Sequence, residues 1–161
     1  MADQQDGVDF ALAAYREEGV WQVQELTHEV LVDIESLTHA LRRFPGDGGA
    51  LGMIAVDEDF FVVVRVAGAN ARVLLSDFTA ADEWELAASA VEFLGLPPPE
   101  EDDDQAPAGD LDLLGDLGMT AMDMGVLLDD FDLYPDEMLS DVARRLGFGS
   151  QFDEAVGLAS A

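Results

Sequence analysis

The sequence predicts an α+β fold in two parts, an antiparallel sheet carrying helices over residues 1–95 and a small helical domain over residues 110–161. Three observations carry that expectation. Short β-branched and aromatic segments dominate before Gly95, apolar residues recur at helical spacing after Gly109, and an acidic Pro-rich stretch over residues 96–109 divides the two.

From Val8 to Tyr15 the apolar residues Phe10, Leu12 and Ala14 alternate as in a half-buried strand, and a polar stretch ending in Gly19 turns the chain back into Val20 to Leu26, making a hairpin. Asp33 stands where a helix would be capped. Ile34, Leu37, Leu41 and Phe44 share one face of that helix, Arg42 and Arg43 occupy its last turn, where cations suit the dipole, and Pro45-Gly46 stops it. Ala50 to Val56, Phe60 to Val66 and Ala71 to Leu75 read as three strands, separated by Asp57-Glu58-Asp59 and Gly68-Ala69-Asn70. The unbroken run Phe61-Val62-Val63-Val64 predicts a strand buried on both faces. Ser76-Asp77 is expected to cap a second helix bearing Trp84, Ala87, Ala88 and Val91 on one side and ending at Gly95. The order ββαβββα is similar to that of longin and roadblock modules, a likeness of fold alone.

Pro97-Pro98-Pro99 followed by Glu100, Glu101, Asp102, Asp103 and Asp104 has the composition of an extended, self-repelling linker. Beyond it Asp110 opens a turn with Leu111, Leu114 and Leu117 that Gly118 ends. Thr120 and Asp123 have the spacing of a capping box for a helix reaching about Leu128. Pro135 suits a first helical position, and Leu139, Val142, Ala143 and Leu146 form the stripe of the next helix, with Arg144 and Arg145 in its last turn and Gly147 after it. Ser150 and Asp153 would start a final helix with Phe152, Ala155 and Val156. Helices this short depend on packing.

The 161 residues include 35 acids and 7 basic residues, all Arg, for a formal net charge of −28. The excess covers both parts: 18 acids against 5 Arg through Gly95, and 17 against 2 beyond it. Binding to a nucleic acid backbone requires cations to neutralise phosphates, so direct nucleic acid binding is not expected and a basic protein is the natural complement. With 49% hydrophobic residues the chain can still bury a core. The start Met-Ala-Asp-Gln-Gln-Asp lacks the basic and apolar regions of a secretory signal, and no apolar run approaches the roughly 20 residues of a membrane helix, so the expectation is a cytoplasmic protein without membrane contact.

Catalytic chemistry finds little material. Cys and Lys are absent and no Ser stands in a G-x-S-x-G elbow. The glycine-rich loop over residues 46–52 precedes a strand instead of opening a helix, so it reads as a turn and not as a phosphate cradle. His28 and His39 have no paired ligand spacing and read as ordinary surface histidines. Asp130, Asp132, Asp136 and Asp141 fall at positions 1, 3, 7 and 12 of a calcium loop, but Tyr134 and Pro135 occupy positions 5 and 6 and Asp141 stands where a bidentate Glu is needed. Helix-capping acids explain them better. Met119, Met122, Met124 and Met138 read as core filling, with an adaptable partner surface as the alternative. No cofactor or metal is expected.

Gly109-Asp-Leu-Asp-Leu-Leu-Gly-Asp-Leu-Gly118, and the stretch from Leu127-Leu-Asp-Asp-Phe-Asp-Leu-Tyr-Pro-Asp-Glu-Met-Leu-Ser-Asp-Val-Ala-Arg-Arg-Leu-Gly-Phe to Gly149, resemble the tRNA adenosine deaminase-associated proteins of actinobacteria, most strongly over residues 109–157. That resemblance implies a partner, a tRNA adenosine deaminase, and no catalytic residues. The chain is not itself a zinc deaminase, because it has no Cys and neither His28-Glu29-Val30 nor His39-Ala40-Leu41 supplies H-x-E. The expected function is that of a non-enzymatic acidic accessory protein. Asp129, Asp130, Asp132, Asp136, Glu137 and Asp141 would form its charged rim, and Phe131 and Tyr134 its apolar anchor. The alternatives are a nucleic-acid mimic that inhibits a tRNA-binding protein and a scaffold that forms a homodimer.

Overall fold

The computed structural model describes residues 8–26, 31, 33–44, 49–56, 60–67, 70–100, 102–104, 106–130 and 133–156. Strands β1 (Val8–Glu17) and β2 (Val20–Glu25) form the hairpin, then come α1 (Ile34–Leu41), β3 (Ala50–Val56), β4 (Phe60–Ala67), β5 (Asn70–Leu75) and α2 (Glu85–Phe93). A two-residue strand β6 (Ala108–Gly109) precedes α3 (Ala121–Leu128), α4 (Pro135–Leu146) and α5 (Gly149–Val156). All six strands lie in one antiparallel sheet of order β2-β1-β3-β4-β5-β6.

The period of two along each strand divides the core. On one face Ala11, Ala13 and Tyr15 of β1, Ile54 and Val56 of β3, Phe60, Val62, Val64 and Val66 of β4, and Val73 and Leu75 of β5 meet Ile34, Leu37 and Leu41 of α1 and Leu86, Ala87, Ala90 and Val91 of α2. On the other, Leu12, Ala14, Trp21, Leu51, Met53, Ala55, Phe61, Val63 and Leu74 meet Leu113, Leu114, Met119 and the buried faces of α3, α4 and α5. The valine run of β4 is therefore apolar at every position because each parity has its own layer of helices. Gly52 lets α1 approach closely, since a Cβ there would stand 3.1 Å from Leu41 Cδ1.

The segments after residue 109 thus share a core with the sheet. The Trp21 indole N–H donates to the Leu146 carbonyl at the end of α4 (3.1 Å), and its ring packs 4.7 Å from that of Phe148. Phe152 of α5 meets Phe10 of β1 edge to face at 5.3 Å. Gly147 makes the first of these contacts feasible: its φ of +106° ends α4 in the left-handed region, beside Trp21. On the same face, at strands β4 and β5, Arg65 donates from Nη1 to Leu113 O (2.9 Å) and Arg72 pairs with Asp110 (3.0 Å).

Several local expectations need correction. Asp77 does not cap α2: its Oδ1 accepts from the Thr79 amide (3.0 Å) and hydroxyl (2.6 Å), starting a 3-10 turn over Phe78–Asp82, and Ser76 Oγ accepts from Phe61 N (2.8 Å). That turn uses up the residues before Glu85, leaving Trp84 as an N-cap without a side-chain bond. The acidic Pro-rich stretch makes more contact than a self-repelling tether would: Pro99 is buried, Glu100 N donates to Asp103 Oδ2 (2.7 Å), Ala106 O accepts from Phe78 N (2.9 Å), and Ala108–Gly109 pairs with β5. Glu100, Asp102, Asp103 and Asp104 are exposed while the backbone finds partners, which lowers the cost of crossing the sheet edge. The last helix begins at Gly149 instead of Ser150, and Asp153 accepts from Ser140 Oγ (3.3 Å) of α4.

Because Phe148 is fully buried between β2 and the C-terminal helices, Phe148→Ala is expected to lower the unfolding free energy by about 3–5 kcal/mol. Urea titration followed by far-UV and near-UV circular dichroism checks this. One coincident transition is the expected form, and two separated transitions would show that the helices unfold independently of the sheet.

Candidate partner-binding surface

The expected site residues lie around the junction of α3 and α4. Thr120 and Asp123 form the capping box, each accepting the other's backbone N–H at 3.2 Å, and so fix where α3 begins. With that start, Met124, Leu127 and Leu128 point into the core, and the opposite side of the helix is left to solvent. Met122 is 79% exposed and Val126 66% exposed, four residues apart and hence on one face. Gly125 between them has open space where a side chain would stand.

Met122 is the residue for which the core-filling expectation fails. Met119, Met124 and Met138 are buried, but the register set by Thr120 turns Met122 outward. Sequence reading held a partner surface only as the alternative for Met122 and missed Val126. The signal was present: α3 is apolar nearly all round, with more apolar positions than a single buried stripe uses.

Asp129 ends α3 and is exposed, as is Asp130, whose N–H donates to Leu127 O (3.2 Å). Tyr134 is 54% exposed at the N-cap of α4, where its amide donates to Glu137 Oε1 (3.1 Å), and Pro135 occupies the first helical position. Asp136 is half-buried and Glu137 exposed in the first turn, where negative charge suits the helix dipole. Phe131 and Asp132 lie outside the described residues.

Asp141 is employed differently. Its two carboxylate oxygens take Arg144 (3.2 Å) and Arg145 (2.8 Å), so its charge is met within α4. The hydrogen bond to Asp141, then its Coulomb attraction, raises the Arg145 pKa above the ordinary guanidinium value. A carboxylate already shared by two guanidinium groups is a poor twelfth ligand for a calcium loop, and no group of three or more potential metal ligands occurs among the described residues. His39 is exposed on α1, whereas His28 and residues 45–48 of the glycine-rich loop lie outside the described residues. No described helix is long and apolar enough to cross a membrane.

The junction thus presents an exposed apolar pair followed by helix-end acids and an aromatic ring. Exposure makes a stability prediction. Met122→Glu and Val126→Glu are each expected to change the unfolding free energy by less than about 0.5 kcal/mol. Met124→Glu, which places a charge in the core, is expected to abolish cooperative thermal unfolding in circular dichroism.

Comparison with known proteins places these observations in a family. A family model described as Rv3753c-like tRNA adenosine deaminase-associated protein matches residues 9–149, spanning both the sheet and the C-terminal helices. Protein Rv3753c of Mycobacterium tuberculosis is 39% identical over 158 residues, covering 96% of this chain and 90% of the relative. No solved structure matches the chain. The chain belongs to the Rv3753c-like family of tRNA adenosine deaminase-associated proteins.

Proposed function

We propose that this protein is a non-catalytic accessory factor that docks on a basic protein partner, the candidate partner being a tRNA adenosine deaminase. The observation that carries the reading is the exposed Met122 and Val126 face of α3, continued by Asp129 and Asp130, on a chain of net charge −28. Tyr134 and Glu137 extend this surface on α4. The family's description supplies the candidate, since it speaks of association with the deaminase.

The two kinds of residue have different tasks. The acids speed and select encounters with a cationic surface, an effect that salt screens over about 8 Å at physiological ionic strength. The apolar residues hold the complex once formed, because their burial removes some 25 cal/mol per Å² of apolar surface from water. Asp141 contributes less to the rim than its position in the sequence suggests, its carboxylate being held by Arg144 and Arg145.

Surface plasmon resonance with the deaminase of the same organism tests the proposal. The combined change Asp129→Lys, Asp130→Lys and Glu137→Lys is expected to lower the association rate by about tenfold or more at low salt. Met122→Glu with Val126→Glu is expected to raise the dissociation rate. A folded protein that fails to bind the deaminase at moderate salt overturns the partner, and inhibition of tRNA editing that excess tRNA relieves overturns the accessory role in favour of mimicry.

A further inference from the structure

We propose that Met122 is a reversible oxidation site, at which a peroxide converts the thioether to a sulfoxide and the sulfoxide releases the docked partner. The release rests on α3 being the docking surface; the oxidation does not. The chain holds six methionines and no cysteine, so thioethers are its only sulfur. Met1 lies outside the described residues. Met53, Met119 and Met124 are fully buried and Met138 is 8% exposed, whereas Met122 is 79% exposed.

The contrast is sharpest within α3, where Met124 is in the core and Met122, two residues earlier, stands in solvent. Two residues turn a helix through about 200°, so one register cannot bury both sulfurs. The capping box of Thr120 and Asp123 sets that register. Burial then decides reactivity, because oxygen transfer requires the peroxide to reach a sulfur lone pair. Around Met122 the approach is open: Gly125, on the next turn, has open space where a side chain would stand. The sulfur lone pair attacks one peroxide oxygen, and the S–O bond forms as the O–O bond breaks. Sulfur gives up two electrons, and the departing hydroxide takes the proton of the transferred oxygen and leaves as water. No thiol in the chain competes for the oxidant.

The consequences for folding and for docking differ. Met122 belongs to neither buried cluster, so a sulfoxide there leaves the core packing as it is. Oxidation of Met124 would instead put a polar group among buried side chains, which makes it damage and not a signal. On the outer face, Met122 and Val126 form the apolar pair that a partner covers. A partner that buries this pair must strip water from the sulfoxide oxygen, a cost the thioether does not impose. Methionine sulfoxide reductases, one for each epimer, return the thioether and with it the apolar contact.

The test treats the full-length protein with limiting hydrogen peroxide, locates the oxidised residues one by one by peptide mass mapping, and removes the peroxide before surface plasmon resonance with the deaminase. Met122 is expected to take up oxygen at least about tenfold faster than Met53, Met119, Met124 or Met138, with the thermal transition in circular dichroism unchanged. Dissociation from the deaminase is expected to become about tenfold faster and to return to its first rate after treatment with the two reductases. Met122→Leu keeps the apolar surface without the sulfur, so its dissociation is expected to be the same before and after peroxide. Oxidation of the buried methionines as fast as Met122, or a Met122 sulfoxide protein that dissociates at the unmodified rate, overturns the proposal and leaves the docking surface standing. An unmodified protein that does not bind the deaminase overturns the docking surface and the release together.

Discussion

A sheet that is apolar on both faces must be covered on both, and the rest of this structure follows from that requirement. Strands β3 and β4 bury essentially every side chain. Helices α1 and α2 can shield only one parity of those residues. Leaving Leu51, Met53, Phe61, Val63 and Leu74 in water would forfeit some 1.5–3 kcal/mol for each large side chain, a loss comparable with the whole stability of a small domain. The C-terminal helices supply the second cover. Trp21 aligns them by satisfying both an apolar contact with Phe148 and the open carbonyl of Leu146.

That packing decides which residues remain for recognition. Helix α4 commits Met138, Leu139, Val142, Ala143 and Leu146 to the core and turns Asp136, Glu137, Arg144 and Arg145 outward, an ordinary amphipathic division. Helix α3 divides less completely. It is short and apolar on most of its circumference, and Met124, Leu127 and Leu128 are its buried residues. Asp123 and Glu137, in the first turns of α3 and α4, serve the fold by complementing the dipoles and capping amides, whereas Asp129 and Asp130 stand at the C-terminal end of α3, where the dipole gives them no such support. At Asp141 the charge is met within α4, where two arginines claim it.

The scarce cations are placed with equal economy. Arg65 and Arg72 stand where the chain returns to the sheet after the acidic stretch, and Arg16 lies over the Trp21 ring at 5.5 Å. Arg144 and Arg145 meet Asp141 at the end of α4. In a chain of this composition each cation has many carboxylates to choose from, so its partner is selected by register and distance and not by charge alone.

Much of the fold was legible because local physical rules specify it. The valine run reported a strand buried on both faces, Asp33 and the Thr120–Asp123 pair reported helix starts, and Pro135 and Gly147 bracketed α4. The composition also determined the large negative charge and the absence of thiol and amine chemistry, since these are counts. Tertiary structure alone decided the outward turn of Met122, the 3-10 turn that displaces the start of α2, the backbone pairing of Ala108–Gly109 and the meeting of Arg65 with Arg72. Each of these depends on contacts between segments distant in the chain. Periodicity reports which residues share a face of one element, but which face is covered depends on what the other elements bring to it.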